Sequence, residues 1–175
     1  MENKKSQRQG ESTEKVKICP CCGAKMNLHW HRLNKGLVNV LIKVRKQVIA
    51  KGENKVQISE LGLNTTEFCN FQKLRYHAMI AKCKDEDGKR IGGYWLLTRR
   101  GNLFCKGLIG VPQKVGTFRN VIRKKSLEVV SLSDVLDSNE LPYWDSLEYF
   151  NYEFEEINDI DEDLWEENGQ GKINF

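Results

Sequence analysis

Apolar residues recur at helical spacing over residues 35–51. Five of them fall three or four positions apart: Leu37, Val40, Leu41, Val44 and Val48. This spacing predicts a long helix with one buried face, for which Asn34 is the expected N-cap and Gly52 the expected end. Four basic residues are expected to lie off that face: Lys43, Arg45, Lys46 and Lys51.

Two further helices are predicted after the long one, the first at residues 59–63 and the second over about residues 65–83. Asn64 or Thr65 is placed to cap the second helix, and Glu67 can complete a capping box with Asn64. The expected buried face of this helix consists of Phe68, Phe71, Leu74, Ala78 and Met79. Its expected exposed face carries Asn70, Lys73, Tyr76 and His77.

A charged turn and a strand are predicted next. Residues 84–93 contain Asp87-Gly88, a common hairpin signal. Tyr94 and Trp95 alternate along the following strand, so one is expected in the core and the other partly exposed. Three acids near the turn argue against its insertion into a minor groove. Three basic residues are therefore expected to contact the backbone of any bound DNA: Lys89, Arg90 and Arg99.

Residues 111–133 are predicted to form another hairpin. Apolar positions on both sides flank a basic, turn-like segment at residues 123–126. The expected tip carries Arg123, Lys124 and Lys125. Such a hairpin would extend a nucleic-acid footprint or pack against the N-terminal segment.

Residues 34–108 resemble a winged helix-turn-helix domain. The resemblance depends on Ile58-Ser59-Glu60-Leu61-Gly62-Leu63, on the amphipathic helix after it, and on Gly93-Tyr94-Trp95-Leu96-Leu97-Thr98-Arg99-Arg100-Gly101. In winged-helix regulators a similar aromatic and apolar tract ends in Thr-x-x-Gly and opens the next helix. The resemblance implies that the second helix of the pair enters a DNA major groove.

Five residues of that second helix are therefore candidates for DNA contact: Asn70, Gln72, Lys73, Arg75 and Tyr76. Lys73 and Arg75 can reach phosphates or guanine edges, and Asn70 and Gln72 can reach adenine edges. Taken singly, each is better explained as part of an ordinary solvated helix surface. Their combination with the turn and the hairpin favours an interface.

The charge of the chain is divided between two regions. The formal net charge of the 175 residues is +4, yet residues 1–132 hold 27 lysines and arginines against 10 acids, a net charge of +17. Residues 133–168 hold 14 acids and no base. A basic body favours phosphate binding, whereas an acidic segment attracts basic surfaces. Aromatic residues within the acidic segment indicate that it docks, either on this chain or on a partner: Tyr143, Trp144, Tyr149, Phe150 and Phe154.

The six cysteines favour metal ligation over disulfides because no feature of the sequence indicates export. Cys19 and Cys22 fit the Cys-Pro-x-Cys-Gly form of a zinc knuckle, although Cys21 could replace either. Alternation along a strand would place His29 and His31 on one side, which completes a candidate Zn2+ set. The alternatives are a redox pair or an unligated turn. Cys69 and Cys83 are expected to be buried, inert thiols.

Several functional classes lack support in the sequence. The mean hydropathy is −0.57, and neither a membrane-spanning run nor a signal peptide is evident, so a cytoplasmic protein is expected. The sequence contains no phosphate-cradling glycine loop, no Gly-x-Ser-x-Gly and no His-Glu-x-x-His. An enzyme is therefore not expected.

These patterns predict an α+β protein with a winged helix-turn-helix core. The expected segments are a disordered lead-in (1–16), a zinc knuckle (17–32), the winged-helix domain (33–108), an added β-hairpin (109–133) and an acidic aromatic C-terminal tail (134–175). The knuckle and the Leu-Asn-Lys-Gly-Leu helix start resemble phage-encoded proteins. The predicted function is a small bacterial or phage transcriptional regulator that binds DNA, as one chain or as a homodimer. The alternative is a phage anti-defence inhibitor of the anti-CRISPR kind, whose acidic segment mimics nucleic acid and binds a basic host nuclease.

Overall fold

The computed structural model describes residues 17–18 and 22–143, which form a mixed α+β fold with antiparallel strand pairs. The strands are β1 Lys17–Ile18, β2 Lys25–Met26, β3 His29–Arg32, β4 Lys55–Gln57, β5 Ile80–Lys84, β6 Arg90–Leu97, β7 Val111–Pro112, β8 Lys114–Phe118, β9 Val121–Lys125 and β10 Val129–Val130. The helices are α1 Lys35–Lys51, α2 Thr65–Asn70, α3 Arg99–Cys105 and α4 Leu132–Val135, with 3₁₀ helices at Ile58–Glu60 and Phe71–His77. In the part of the chain that the structure describes, no helix has the length and apolar character needed to cross a bilayer.

Helix α1 begins and ends where the sequence predicts. The Asn34 side chain accepts from the Leu37 amide, and Gly52 adopts the left-handed conformation (φ 68°) that terminates the helix. The predicted apolar stripe is buried. Arg45, however, is fully buried instead of lying off that stripe, because it is one turn from Leu41 and three residues from Val48. Its Nε donates to Asn102 Oδ1 over 2.8 Å.

The predicted charged hairpin is formed by β5 and β6, and β4 completes a sheet of order β4-β6-β5. Trp95 is paired with both Val56 of β4 and Lys82 of β5, so it occupies the centre of the sheet. Trp95 is buried and Tyr94 half-buried, which confirms the predicted division between the two aromatics.

The helical segment between β4 and β5 is shorter than predicted. The capping box of Asn64 and Glu67 is confirmed, with both reciprocal hydrogen bonds present. Helix α2 nevertheless gives way to a 3₁₀ helix, and Ala78 (φ 55°) ends it, so the prediction of a helix to residue 83 is wrong. The apolar run after Ala78 is instead the buried strand β5, and a short apolar run does not distinguish these two states. The helix predicted at residues 59–63 is a single 3₁₀ turn, Ile58–Glu60.

The 3₁₀ helix changes which side chains are buried. In this geometry residues three apart lie in line, so Phe71, Leu74 and His77 form one buried row. His77 is therefore buried, although an α-helical period places it outside. Tyr76 belongs to another row, and it is buried where its ring stacks on His31. Phe68, which the same period places inside, is 53% exposed.

A second sheet has the order β3-β8-β9, and its β8-β9 hairpin turns at Arg119-Asn120. Both turn residues have positive φ (51° and 64°), as a two-residue hairpin turn with right-handed twist requires. The prediction of a tip at residues 123–126 is therefore wrong, and Arg123, Lys124 and Lys125 lie along β9.

One apolar cluster joins α1 to the segments on both sides of the β8-β9 hairpin. Val111, Val130, Leu132 and Leu136 belong to the same buried cluster as the α1 stripe. At the surface, Lys35 of α1 forms an ion pair with Glu140 at 2.6 Å. Residues up to 140 therefore contribute to the folded body.

Helix α3 starts at a close junction with the end of the 3₁₀ helix. Thr98 Oγ1 donates to the Ala78 carbonyl (2.7 Å) and accepts from the Gly101 amide (3.0 Å), which confirms that the Thr-x-x-Gly tract opens a helix. A Cβ on Gly101 would overlap the Met79 carbonyl oxygen, which already accepts from the Thr98 amide. The tract thus requires threonine at position 98 for these two hydrogen bonds, and glycine at position 101 because a side chain there would overlap the Met79 carbonyl.

We expect Gly101→Ala to lower the free energy of unfolding by about 1–3 kcal/mol, the usual cost of overpacking. Alanine is ordinarily favoured over glycine in a helix by about 1 kcal/mol. A lower free energy of unfolding would therefore be due to the clash with the Met79 carbonyl. Urea unfolding measures the change. Gly92→Ala is the matched control, because nothing lies within 4 Å of a Cβ there and its φ is unstrained. Equal effects of the two substitutions would contradict the close junction.

Candidate nucleic-acid interface

A groove of about 380 Å³ separates the helical segment from the β5-β6 hairpin. Its lining includes Phe68, Phe71, Gln72, Lys82, Arg90 and Trp95. Aromatic rings form the floor, and the Lys82 Nζ lies 5.8 Å from the centre of the Trp95 ring. The groove therefore combines apolar walls with two cations.

The cations in this groove repel one another. Burial lowers the pKa of Lys82, and the positive charges of Arg90 and Arg75 lower it further. Among the described residues, no carboxylate forms an ion pair with Lys82 or Arg90. An anion bound between them would relieve this repulsion, as a phosphate group does at a nucleic-acid interface.

One of the acids at the hairpin turn, Asp85, forms hydrogen bonds with backbone amides of the turn. The Asp85 carboxylate accepts from the amides of Asp87 (3.1 Å) and Lys89 (2.7 Å). Lys89, Arg90 and Arg99 are exposed, as predicted for backbone contacts. The Asp85 carboxylate thus stabilises the loop, and the basic residues beside it remain at the surface.

The predicted DNA-contacting residues of the helical segment divide into two groups. Lys73 Nζ donates to Asn70 Oδ1 (2.6 Å), and both line a second cleft, of about 240 Å³, beside β3. Gln72 is exposed and faces the first groove. The three-residue repeat of the 3₁₀ helix separates the groups, because Asn70 and Lys73 lie in one row and Gln72 in another.

Arg75 and Tyr76 connect the helical segment to the β8-β9 hairpin. An Arg75 guanidinium nitrogen donates to the Tyr76 hydroxyl (2.8 Å), which in turn donates to Asn120 Oδ1 (2.9 Å). Tyr76 is 8% exposed and stacks on His31, with ring centres 4.3 Å apart. Tyr76 therefore holds two elements together, whereas the sequence placed it on a DNA-contacting surface.

The three basic residues of β9 lie in different environments. Lys124 is exposed and Arg123 half-buried. Lys125 is exposed as a residue, yet partial desolvation of its ammonium group lowers its pKa to about 8, and the positive charge of Arg100 adds to the shift. The structure thus spreads these residues along a strand instead of gathering them at a tip.

The described residues of the predicted zinc set are not gathered into one site. His31 Nε2 lies 2.8 Å from Thr117 Oγ1, Cys22 and His29 are exposed, and Cys19 lies outside the described residues. Within the described ranges, no group of three histidine, cysteine or acidic side chains is positioned to hold a metal ion. The zinc site accordingly stays a prediction.

His77 is a buried imidazole near the same place. It has no solvent exposure, and burial is the main reason why its pKa is lowered to about 4. Neither ring nitrogen has a partner in hydrogen-bond geometry within the described structure, although the Pro112 and His31 backbones face the ring and partly oppose the shift. His77 is therefore neutral at physiological pH.

The remaining cysteines differ from one another. Cys83 is buried, as predicted, but Cys69 is exposed because α2 lies at the surface. Cys105 is buried too, and burial raises its thiol pKa to about 12, so it is inert. Of the predicted partner-binding aromatics, Tyr143 is 93% exposed. Trp144, Tyr149, Phe150 and Phe154 lie outside the described residues.

Sequence reasoning missed Lys82, Asn120 and Trp30. Lys82 was assigned to a helix, although its alternation with buried Ala81 and Cys83 is a strand signal. Asn120 follows Arg119 between two apolar runs, and asparagine there is a turn signal. Trp30 lies in a strand whose partner, β8, is distant in sequence, and no local pattern identifies that pairing.

Comparisons with protein-family models, with curated proteins and with solved structures found no match. The function is therefore argued from the residues and their geometry.

We expect Tyr76→Phe to lower the free energy of unfolding by about 1 kcal/mol, because it removes a buried hydroxyl that bonds Arg75 and Asn120. Urea unfolding checks the value. Tyr94→Phe is the matched control, since Tyr94 is only half-buried and its hydroxyl makes a single, longer hydrogen bond to Gln57 at 3.2 Å. A larger loss in Tyr94→Phe than in Tyr76→Phe would argue against the connecting role.

Proposed function

We propose that this chain is a nucleic-acid-binding protein with a winged-helix core. The order of elements supports the core: α1, β4, a helical segment of residues 58–77, the β5-β6 hairpin and then α3. The sheet order β4-β6-β5 also supports it, because it places the hairpin beside the last helix of the segment. In this arrangement the helix of residues 65–77 is the recognition element and the hairpin is the wing.

The groove between these two elements is the observation that carries the proposal. Lys82 and Arg90 face it without an acidic partner among the described residues, and Gln72 offers an amide at its rim. Two acids of the helical segment form ion pairs with lysines of α1: Glu67 pairs with Lys43 at 2.8 Å, and Glu60 pairs with Lys51. Neither neutralises Lys82 or Arg90. A polyanion is the ligand that this charge distribution favours.

A small transcriptional regulator of bacterial or phage type is the specific function we propose. The groove supplies phosphate contacts, and Gln72, which lines it, supplies an amide that can read adenine edges. The alternative anti-defence function depends on the acidic aromatic segment, most of which lies outside the described residues. No observation on the described residues favours it.

Lys82→Ala and Arg90→Ala should each weaken binding to duplex DNA, and each should reduce the slope of log K against log salt by about 0.9. Fluorescence anisotropy over a salt series measures both quantities. Lys46→Ala is the control, because it removes an equal charge from the exposed side of α1. Equal losses in all three variants would show a nonspecific charge effect. Duplex binding that is independent of salt would refute the proposal.

We also propose a structural zinc ion at the N-terminal turn. Strands β1 and β2 pair as Lys17 with Met26 and Ile18 with Lys25, which brings together the two ends of the segment that contains Cys19 and Cys22. Gly23 (φ 67°) reverses the chain beside Cys22, a conformation that a side chain would disfavour. Cys19 and Cys22 would supply two thiolates to tetrahedral zinc. His29 and His31 are the proposed second pair, and they would have to move toward Cys22, since the described residues are not gathered into one site.

Purified protein should contain about one zinc ion per chain, and the double variant Cys19→Ser with Cys22→Ser should contain none, because thiolates are the anchoring ligands. Elemental analysis by mass spectrometry makes the measurement. Cys69→Ser is the control, since Cys69 is an exposed cysteine of α2. Full zinc content in the double variant would refute the site. His29→Gln with His31→Gln tests the second pair of ligands.

A further inference from the structure

The outer face of the β3-β8-β9 sheet carries an aromatic ring among cations. Directly paired residues on antiparallel strands share a face, and the pairs here are Trp30 with Gly116, Arg32 with Lys114, and Gly116 with Lys124. The opposite face carries Val115 and Thr117, which are buried. The face that bears Trp30 is therefore the solvent side of the sheet.

Trp30 lies flat against the backbone of Gly116. A Cβ at position 116 would stand 3.3–3.4 Å from three atoms of the indole ring, so the glycine allows the ring to rest on the strand. Trp30 is 42% exposed in spite of this contact. One ring face is thus supported by the sheet, and the side chain presents the remainder of its surface to solvent.

The charges on this sheet have one sign. The face of Trp30 carries Arg32, Lys114 and Lys124, and the three strands contain no acidic residue. Lys125 is paired with Val115 and belongs to the opposite face. Arg119, in the turn between β8 and β9, adds another positive charge and lies over the Phe118 ring at 5.4 Å. A supported ring surrounded by cations offers stacking and phosphate contacts together.

The cleft of about 240 Å³ continues this surface around the open edge of β3. Trp30 and Arg32 line it from the sheet, and Asn34, Asn70 and Lys73 line it from the helices. Strand β3 pairs only with β8 among the described strands, so its other edge faces this cleft. A group that leaves the ring of Trp30 at this edge meets amide side chains and a lysine, and the one acid that lines the cleft, Glu67, is paired with Lys43.

We propose that this face binds single-stranded nucleic acid, with one base stacked on Trp30 and the adjacent phosphates near Arg32, Lys114 and Lys124. Stacking on an exposed ring needs a base whose own face is uncovered, which an unpaired strand offers and a duplex does not. The inference goes beyond the proposed duplex interface and involves a different surface. The two can therefore fail independently.

The test compares a fluorescein-labelled oligo(dT) of about 12 nucleotides, a length that one stacking surface can accommodate, with a duplex of the same length. Fluorescence anisotropy with the full chain gives both dissociation constants. Trp30→Ala should weaken oligo(dT) binding about 5- to 100-fold, and Trp30→Phe should retain most of the affinity, because stacking needs the ring. Duplex binding should change by less than about twofold in both variants.

Two further measurements exclude a trivial loss of fold. Oligo(dT) should quench the tryptophan fluorescence of the unmodified chain, and Trp30→Phe should remove most of that quenching while binding persists. Arg32→Ala should weaken oligo(dT) binding and flatten its salt dependence by about 0.7, the slope per phosphate for single strands, whereas the Lys46→Ala control should not.

The inference is overturned if the unmodified chain does not bind oligo(dT), or if Trp30→Phe leaves the quenching intact. Equal losses on oligo(dT) and on duplex in Trp30→Ala would also overturn it, since they would assign Trp30 to a common surface. Duplex binding without oligo(dT) binding leaves the proposed function standing and refutes this site. Oligo(dT) binding that depends on Trp30, without duplex binding, supports this site and refutes the proposed function.

Discussion

The arrangement of the first sheet depends on the contact between Gly101 and the Met79 carbonyl. The same carbonyl accepts from the Thr98 amide, and Thr98 Oγ1 donates to the Ala78 carbonyl, so the two consecutive carbonyls of Ala78 and Met79 connect the start of α3 to the start of β5. Because β5 pairs with β6, this junction sets the position of the hairpin relative to the helical segment. The groove with Lys82 and Arg90 exists only while that position is maintained.

Local signals were sufficient for much of the fold. Asn34, Gly52, Asn64 and Thr98 are capping residues whose roles depend on their immediate neighbours, and their elements begin or end as the sequence predicts. The 3₁₀ helix was not predictable in this way, since its burial pattern of Phe71, Leu74 and His77 is set by tertiary packing. The predicted end of this helix at residue 83 was wrong for the same reason, because pairing with β6 determines that residues 80–84 form a strand.

The candidate site was less predictable than the fold. Gln72, Arg90 and the charged hairpin follow from the order of elements, but Lys82 enters the groove only because it lies on β5. Trp30 acquires its support from Gly116, a residue far along the chain, and a single sequence contains no local sign of that pairing. Residues brought together by long-range strand pairing are therefore the ones that sequence reasoning misses here.

The pairing of β3 with β8 also has a consequence for the order of folding. His31 and Thr117 are 86 residues apart, and the Cys22 turn precedes β3. During synthesis, α1 and the first sheet are complete before β8 has been made, so β3 has no strand partner until then. Closing so long a loop is slow compared with forming α1. Strand β3 is thus made well before its partner and joins its sheet only after about 80 further residues have been added to the chain.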